Sequence, residues 1–207
     1  MQVSEGSIAA NHLLMKLSQM SGAFEHGDFR IEIATEDDWP WLVDVMAERV
    51  CENVSTTASR LEQQQRSVIE NLEQKVDEEF VHRHLSPEVA RRLVRATITK
   101  ICGPEGYPND LFIARDPDGR KAGYVWVGRT RHEGTLDPHA LILDLYVVEA
   151  HRRKGLGSLL VETAEEWARQ QALEQIVLDV EPDNSPARSL YESAGYQVFT
   201  IRMTKRL

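Results

Sequence analysis

The sequence has few cysteines and no long apolar run, and each absence excludes a class of protein. Its 207 residues include only Cys51 and Cys102, in no C-x-x-C or Cys/His spacing. A disulfide scaffold and a zinc or other metal site are therefore not expected. The sequence also lacks the roughly 18 consecutive apolar residues of a membrane span and the pattern of a secretory signal. We expect a cytoplasmic protein with no membrane partner.

Positive charge is scarce as well. Lysine and arginine number 24 against 33 acidic residues, a net charge of -9, and residues 35–90 carry 13 acidic against five basic side chains. Duplex nucleic acid, which is polyanionic, is therefore a poor partner for the first half of the chain, and no nucleic-acid partner is expected; a cationic substrate suits this region better. A solvated acidic helix surface explains most of these charges equally well.

Residues 1–27 are predicted to be an appended helix and a linker, followed by a single domain at 28–207. The strand "FRIEIA" opens the domain, and Thr35 with Asp38 three residues on predicts the start of a helix. A helical segment follows at about 50–102. It comprises a long polar helix over 60–85 and a second helix with Ser86 as its cap.

Strand and helix patterns alternate through the rest of the chain. The letters "LFIAR", "DPDG" and "AGYVWVGR" predict a β-hairpin. Further on, the pattern predicts a mixed α/β sheet with at least one right-handed crossover. The predicted elements are a strand at 141–148, a helix at 158–171, a strand at 175–181, a helix at 185–194 and a strand at 196–204.

A cationic loop joins the strand at 141–148 to the next helix. Arg152, Arg153 and Lys154 stand beside Gly155 and Gly157. A helix start has unpaired N–H groups and partial positive charge, and glycines let a ligand approach, so the loop is a candidate phosphate or diphosphate cradle. A positively charged surface turn is the alternative.

Two common nucleotide motifs do not fit this loop. A P-loop needs lysine after its last glycine, but Lys154 precedes Gly155. The dinucleotide pattern needs a third small residue where Leu160 stands, although Asp179 lies near the distance of a ribose contact. A dinucleotide-binding protein is thus a minor alternative.

Two blocks resemble the GNAT superfamily of N-acetyltransferases. In "DLYVVEAHRRKGLGSLL", Arg152, Gly155 and Gly157 match the family's Arg/Gln-x-x-Gly-x-Gly/Ala acyl-CoA signature. In "NSPARSLYESAGY", the family's second block is matched with Tyr196 in place of phenylalanine. The resemblance covers roughly residues 111–204. Glu149 departs from the proline found in many relatives.

The resemblance implies a GNAT-like acyl-CoA N-acyltransferase fold, an α/β (α+β) architecture. Its central sheet is mixed and mostly antiparallel, flanked by helices, with a fourth and fifth strand that splay apart to admit the pantetheine arm of acetyl-CoA as co-substrate. A backbone N–H near Val147 or Val148 would face the thioester carbonyl. The cofactor-binding residues carried over are Val147, Val148, Arg152, Arg153, Lys154, Gly155, Leu156, Gly157, Ser158 and Asn184.

The resemblance also implies catalytic residues. Tyr191 matches the family tyrosine that serves as general acid, although its helical spacing fits ordinary core packing as well. For the base, the end of the chain resembles ribosomal-protein alanine N-acetyltransferases and favours Asp179. In contrast, "LILDLYV" resembles diamine acetyltransferases and favours Asp144, while Glu181 ranks behind both.

The implied function is acetyl-CoA-dependent N-acetylation of a primary amine, on a small, cationic molecule or on a peptide. The alternative is a non-catalytic acyl-CoA-binding or regulatory module whose acidic helices cover the acceptor site. Family members often dimerise, so a homodimer involving residues 1–27 is expected, unless that helix packs on its own domain.

Overall fold

The computed structural model describes most of the chain in two compact units. One unit comprises Met1–Ile33 and Tyr107–Leu207, and the other comprises Ala34–Gly106. The predicted helices within residues 1–23 and 60–85 lie outside the described residues, so the single domain at 28–207 stays a prediction. The described residues are 24–26, 28–52, 86–102, 108–131 and 136–201.

The first unit is built on a six-stranded sheet whose spatial order follows the chain. Neighbouring strands are antiparallel except for the last pair, which is parallel. This is the mixed, mostly antiparallel sheet expected from the sequence. The strands are β1 Phe24–His26, β2 Phe29–Ile33, β3 Asn109–Arg115, β4 Lys121–Arg131, β5 Pro138–Val147 and β6 Ile176–Leu178.

The β3–β4 hairpin forms where the turn letters predict it. Asp116 Oδ1 accepts hydrogen bonds from the N–H groups of Asp118, at 3.0 Å, and Arg120, at 2.8 Å. Gly119 takes the left-handed conformation, with φ of 79°. A short polar side chain that bonds the backbone ahead and a glycine with positive φ are what a tight turn requires.

Helix α3, Leu156–Gln170, connects the parallel strands β5 and β6 and covers one face of the sheet. Its apolar stripe recurs at helical spacing, so Leu156, Leu160, Ala164 and Trp167 pack into the core with side chains of the sheet. The indole N–H of Trp167 donates to Asp110 Oδ2 at 2.6 Å, which pairs the one polar atom of this buried ring.

The end of α3 is closed by a Schellman-type arrangement. The N–H of Leu173 donates to the carbonyl of Ala168, and the N–H of Ala172 donates to that of Arg169. This geometry requires Ala172 to adopt a positive φ of 54°. A further helix in this unit, α4, spans Ser185–Ser193.

In the second unit, two described helices have the predicted starts. Helix α1 occupies residues 39–52, and the buried Asp38 carboxylate before it accepts from the Thr35 N–H at 3.0 Å. Helix α2, Pro87–Cys102, begins where Ser86 Oγ accepts from the Val89 N–H at 3.3 Å. The bond at Ser86 confirms the cap expected from the sequence, whereas at Thr35 the expected pair of residues encloses a short 3-10 turn, Glu36–Asp38, that leads into α1.

Several predicted boundaries were wrong. Residues 24–26, placed in the linker, form β1 because their backbone pairs with β2. Helix α3 begins at Leu156, two residues early, because Gly155 already supplies the cap. Strand β6 ends at Leu178, since only three of its residues pair with β5.

The predicted strand at 196–204 is also absent over its described part. Residues 196–201 pair with no strand, and the apolar side chains of Val198, Phe199 and Ile201 are exposed. Apolar alternation predicts a strand only where a sheet edge pairs with it. Residues 202–204 lie outside the described part.

Candidate active site

The parallel strands β5 and β6 stay together for only part of their length. Ala140, Leu141 and Ile142 pair with β6. Beyond them, β5 continues to Val147 along β4, while no described residue pairs with it on the other side. The register with β4 also shifts here, because Trp126 faces Asp144 and Val127 faces Ile142, which leaves Leu143 as a bulge. A gap therefore opens beside the last five residues of β5.

The backbone at the end of β5 distinguishes the two candidate donors. The Val148 N–H donates to the Ala122 carbonyl at 2.9 Å and is therefore already engaged. Because successive N–H groups of a strand point to opposite sides, the Val147 N–H points away from β4, toward the gap. The Val147 carbonyl accepts from Arg152 Nε at 3.1 Å. Of the two N–H groups, that of Val147 has the orientation expected of a donor to the thioester carbonyl.

Strand β4 lies unusually close to this part of β5. A Cβ added to Gly123 would stand 2.5 Å from the Tyr146 carbonyl oxygen, a distance that real Cβ atoms essentially never show. Only glycine permits this approach. Gly123 was not singled out from the sequence, and a lone glycine within a strand pattern is the signal that indicates such an approach.

The cationic loop turns sharply between β5 and α3. Arg153 has φ of 63° and Gly155 has φ of 82°, both in the left-handed region. The guanidinium of Arg152 lies 6.0 Å from the centre of the Tyr146 ring. Arg152 is thus held against the end of β5 by its bond to Val147 and by the aromatic ring.

A cavity of about 450 Å³ opens at the start of α3. Lys154, Gly155 and Ser158 contribute to its wall, and the first turn of the helix carries no acidic residue. Unpaired N–H groups and a lysine favour an anionic group there. Asp28 and Glu162 also line the cavity and would repel the same group, so the anion is expected on the Lys154 side.

Two further loop residues are placed by packing. The Leu156 side chain is buried in the core, so only its backbone is open to a ligand. A Cβ on Gly157 would lie 3.1 Å from Leu190 Cδ2 of α4. Gly157 therefore lets α4 approach the first turn of α3. This contact brings the neighbour of Leu190, Tyr191, to the same end of the sheet as the loop.

Asp144 and Tyr146 share the sheet face opposite α3, as the alternation predicts. Leu145 and Val147 pack instead on the core that α3 covers. The hydroxyl of the fully buried Tyr124 donates to Asp144 Oδ2 at 2.6 Å, and its ring lies 6.0 Å from that of Tyr146. The sequence reasoning missed Tyr124, because nothing local indicates which strand residue will form a hydrogen bond to Asp144.

The remaining candidates differ in their surroundings. Asn184 Oδ1 accepts from the Ala187 N–H at 3.2 Å, so its side chain caps α4. Asp179 and Glu181 lie beyond the end of β6 and are exposed, so the part of the strand predicted at 175–181 that would carry them does not form. No described contact joins Asp179 to the loop or to Asp144.

Tyr196 packs against Tyr191, with ring centroids 5.7 Å apart. Its hydroxyl oxygen is buried, and no described residue forms a hydrogen bond with it. Burial, with the nearby negative charge of Glu165 as a smaller cause, raises the pKa of Tyr196 well above its usual value. This hydroxyl therefore stays protonated at neutral pH.

The described part of the chain holds no group of three or more His, Cys, Asp or Glu side chains arranged to hold a metal ion. None of its described helices has both the length and the apolar character needed to cross a membrane.

A mixed sheet whose single parallel pair separates beside a cationic helix start is the arrangement expected of acyl-CoA N-acyltransferases. A sequence profile of the Acetyltransferase (GNAT) family matches residues 69–196, more than half of the chain. The chain belongs to this family. Residues 1–68 lie outside the match.

Individual relatives agree with this assignment. An aminoglycoside N(6')-acetyltransferase type 1 of Klebsiella aerogenes is 32% identical over 51% of this chain and 72% of its own. A mycothiol acetyltransferase of Clavibacter michiganensis is 32% identical over 54% of this chain. The chain spans only 34% of that enzyme's length and 55% of that of a Bacillus subtilis relative.

Solved structures share the fold at low sequence identity. A putative acetyl transferase from Pyrococcus furiosus superposes with a TM-score of 0.59 at 23% identity, over 86% of this chain and 99% of that one. The superposition covers a larger share of this chain than the sequence matches to these two relatives do.

Proposed function

We propose that this chain is an acetyl-CoA-dependent N-acetyltransferase that modifies a primary amine of a small, cationic molecule or a peptide. The observation that carries the proposal is the gap beside the end of β5. Strand pairing with β6 ends at Ile142, the Val147 N–H points into the gap, and the cationic loop stands at the same end of the strand.

The residues at the gap fit the two ends of acetyl-CoA. The start of α3 and Lys154 suit its diphosphate, since Lys154, Gly155 and Ser158 line one cavity beside the helix start. The unpaired edge of β5 suits the amide-containing pantetheine arm, which can hydrogen-bond as an added strand would. When bound, acetyl-CoA supplies an activated acetyl thioester.

The chain's own groups then have separate tasks. The Val147 N–H is directed to stabilise negative charge on a carbonyl oxygen. Tyr191 is proposed to supply a proton to the departing thiolate. Asp144 is proposed to accept the proton of the amine, because the bond from Tyr124 fixes its half-buried carboxylate on the sheet face opposite α3. Asp179, exposed and outside the strand, ranks behind it.

The acceptor is proposed to be cationic. The chain carries a net charge of -9, and acidic residues dominate residues 35–90. A relative named as an aminoglycoside acetyltransferase provides a polycationic candidate class, and a small polyamine is a second. Long-range attraction would raise the concentration of either near the protein.

Isothermal titration with acetyl-CoA tests the cofactor, with NADH and ATP as controls. We expect saturable binding of acetyl-CoA alone, weakened by Arg152→Gln, which removes the bond to the Val147 carbonyl. Release of free thiol from acetyl-CoA then tests turnover with aminoglycosides, polyamines and peptides. Tyr191→Phe should lower kcat and leave the Kd of acetyl-CoA nearly unchanged.

Other outcomes identify the alternatives. Tight binding of acetyl-CoA with no transfer to any amine would favour the non-catalytic module, and tighter binding of NADH would favour a dinucleotide site.

The matched control for Arg152 is Arg131, which lies at the far end of β4 from this loop. The homodimer stays a prediction, which sedimentation of the full chain tests.

A further inference from the structure

One contact joins the cationic loop to a hairpin that contributes no proposed site residue. His151 Nε2, in the turn just before Arg152, lies 3.6 Å from Oδ2 of Asp116, the first residue of the β3–β4 turn. Only 19% of the His151 side chain and 7% of the Asp116 side chain are exposed. At this distance the two side chains attract electrostatically when the imidazole carries a second proton, and their burial limits screening by water.

Further contacts restrain both side chains, Asp116 and His151. The other carboxylate oxygen of Asp116 accepts from the backbone N–H groups of Asp118 and Arg120, which fixes the carboxylate. The imidazole of His151 makes an edge contact with the Phe29 ring, with centroids 5.7 Å apart. Neither side chain has to be ordered for the contact to form, so its entropic cost is small.

The loop needs such support, because its backbone does not favour the observed conformation. Arg153 adopts a left-handed φ of 63°, which is uncommon for a residue with a side chain. Such a residue persists when its surroundings restrain it. Arg152 fixes the loop to β5, through Val147 O, and His151 fixes it to the β3–β4 turn.

We infer that Asp116 and His151 are positioning residues for the diphosphate of the acyl-CoA. They anchor the turn from which Arg152, Lys154 and the N–H groups of α3 are directed at the cofactor. The inference rests on the proposed function. It assigns a role to the β3–β4 turn, which contributes none of the proposed site residues.

The test uses Asp116→Asn, His151→Gln and the double variant of the full chain. Asparagine keeps a side-chain oxygen for the two N–H groups of the turn and removes the charge. Each variant is titrated with acetyl-CoA and with S-acetylpantetheine, which has the thioester arm but no diphosphate. Asp118→Asn is the matched control, since it neutralises an exposed acid of the same turn.

We expect each single variant to weaken acetyl-CoA binding by about 3- to 10-fold, the range for loss of one modest polar contact. Binding of S-acetylpantetheine should not change. The double variant should be no weaker than the worse single variant, because either change removes the same contact. Asp118→Asn should bind like the unchanged protein.

Equal weakening for both ligands would overturn the inference, since it would indicate general damage to the fold. Additive losses in the double variant, or unchanged affinity for acetyl-CoA, would overturn it as well. Failure of the unchanged protein to bind acetyl-CoA would instead refute the proposed function. The two failures are therefore distinguishable in one set of titrations.

Discussion

Gly155 and Gly157 lie in one short motif, but a different physical reason requires glycine at each position. Substitutions can distinguish the two reasons. Gly155 has φ of 82°, and a Cβ added there would meet nothing within 4 Å. The cost of Gly155→Ala is therefore the left-handed backbone alone, about 1–2 kcal/mol. Alanine recovers about 0.4–1 kcal/mol by restricting the unfolded chain. We expect a net loss of about 0.5–1 kcal/mol in the free energy of unfolding.

Asparagine tolerates the left-handed region better than alanine. Gly155→Asn should therefore retain more stability than Gly155→Ala, and it should bind acetyl-CoA more tightly. Urea unfolding followed by circular dichroism gives the first quantity, and titration gives the second. Equal losses for the two variants, or no loss for alanine, would refute the backbone explanation.

Gly157 should behave differently, because its Cβ would lie 3.1 Å from Leu190 Cδ2 and its φ is not left-handed. Gly157→Ala alone is expected to lose stability through this contact. In a Leu190→Ala background the same change should instead gain up to about 1 kcal/mol, since alanine is the better helix former. A loss of similar size in both backgrounds would contradict the packing explanation.

Two further predictions concern the end of α3 and the partner of Tyr191. Ala172→Gly should stabilise the protein by about 0.5–1 kcal/mol in urea unfolding, because Ala172 has φ of 54°, whereas Ala194→Gly, at φ of -83°, should destabilise it. Tyr196→Phe should be neutral or stabilising at pH 7, since it removes a buried hydroxyl without a partner. Because the native pKa of Tyr196 is raised, the unchanged protein should lose stability as pH rises above about 10, where the unfolded chain ionises more readily, and the variant should lose less stability in alkaline urea titrations.

The parts of the fold that local chemistry decides could be predicted from the sequence. The turn "DPDG" carries its own bond-forming aspartate and its glycine, and Ser86 precedes Pro87 at the start of α2. The cationic loop was found in the same way, since its residues are consecutive. These features need no knowledge of what lies across the sheet.

The rest depends on residues distant in sequence. The bulge at Leu143 and the bond from Tyr124 to Asp144 arise from the register of β4 against β5, which a single sequence does not specify. The strand predicted at 196–204 illustrates the same limit, because an apolar alternation does not reveal whether a sheet edge pairs with it. Asp116 could not be connected to the loop until the hairpin was placed.

The uneven pairing of β5 also has a consequence for motion. Its first half lies between two strands, whereas its second half is bonded on one side only. Amide protons within one continuous strand should therefore exchange with solvent at two rates, slowly at Ile142 and faster at Val147. A ligand bound in the gap would slow exchange at the Val147 amide and leave exchange at the Ile142 amide unchanged. The exchange rate of Val147 would therefore report whether the gap is occupied.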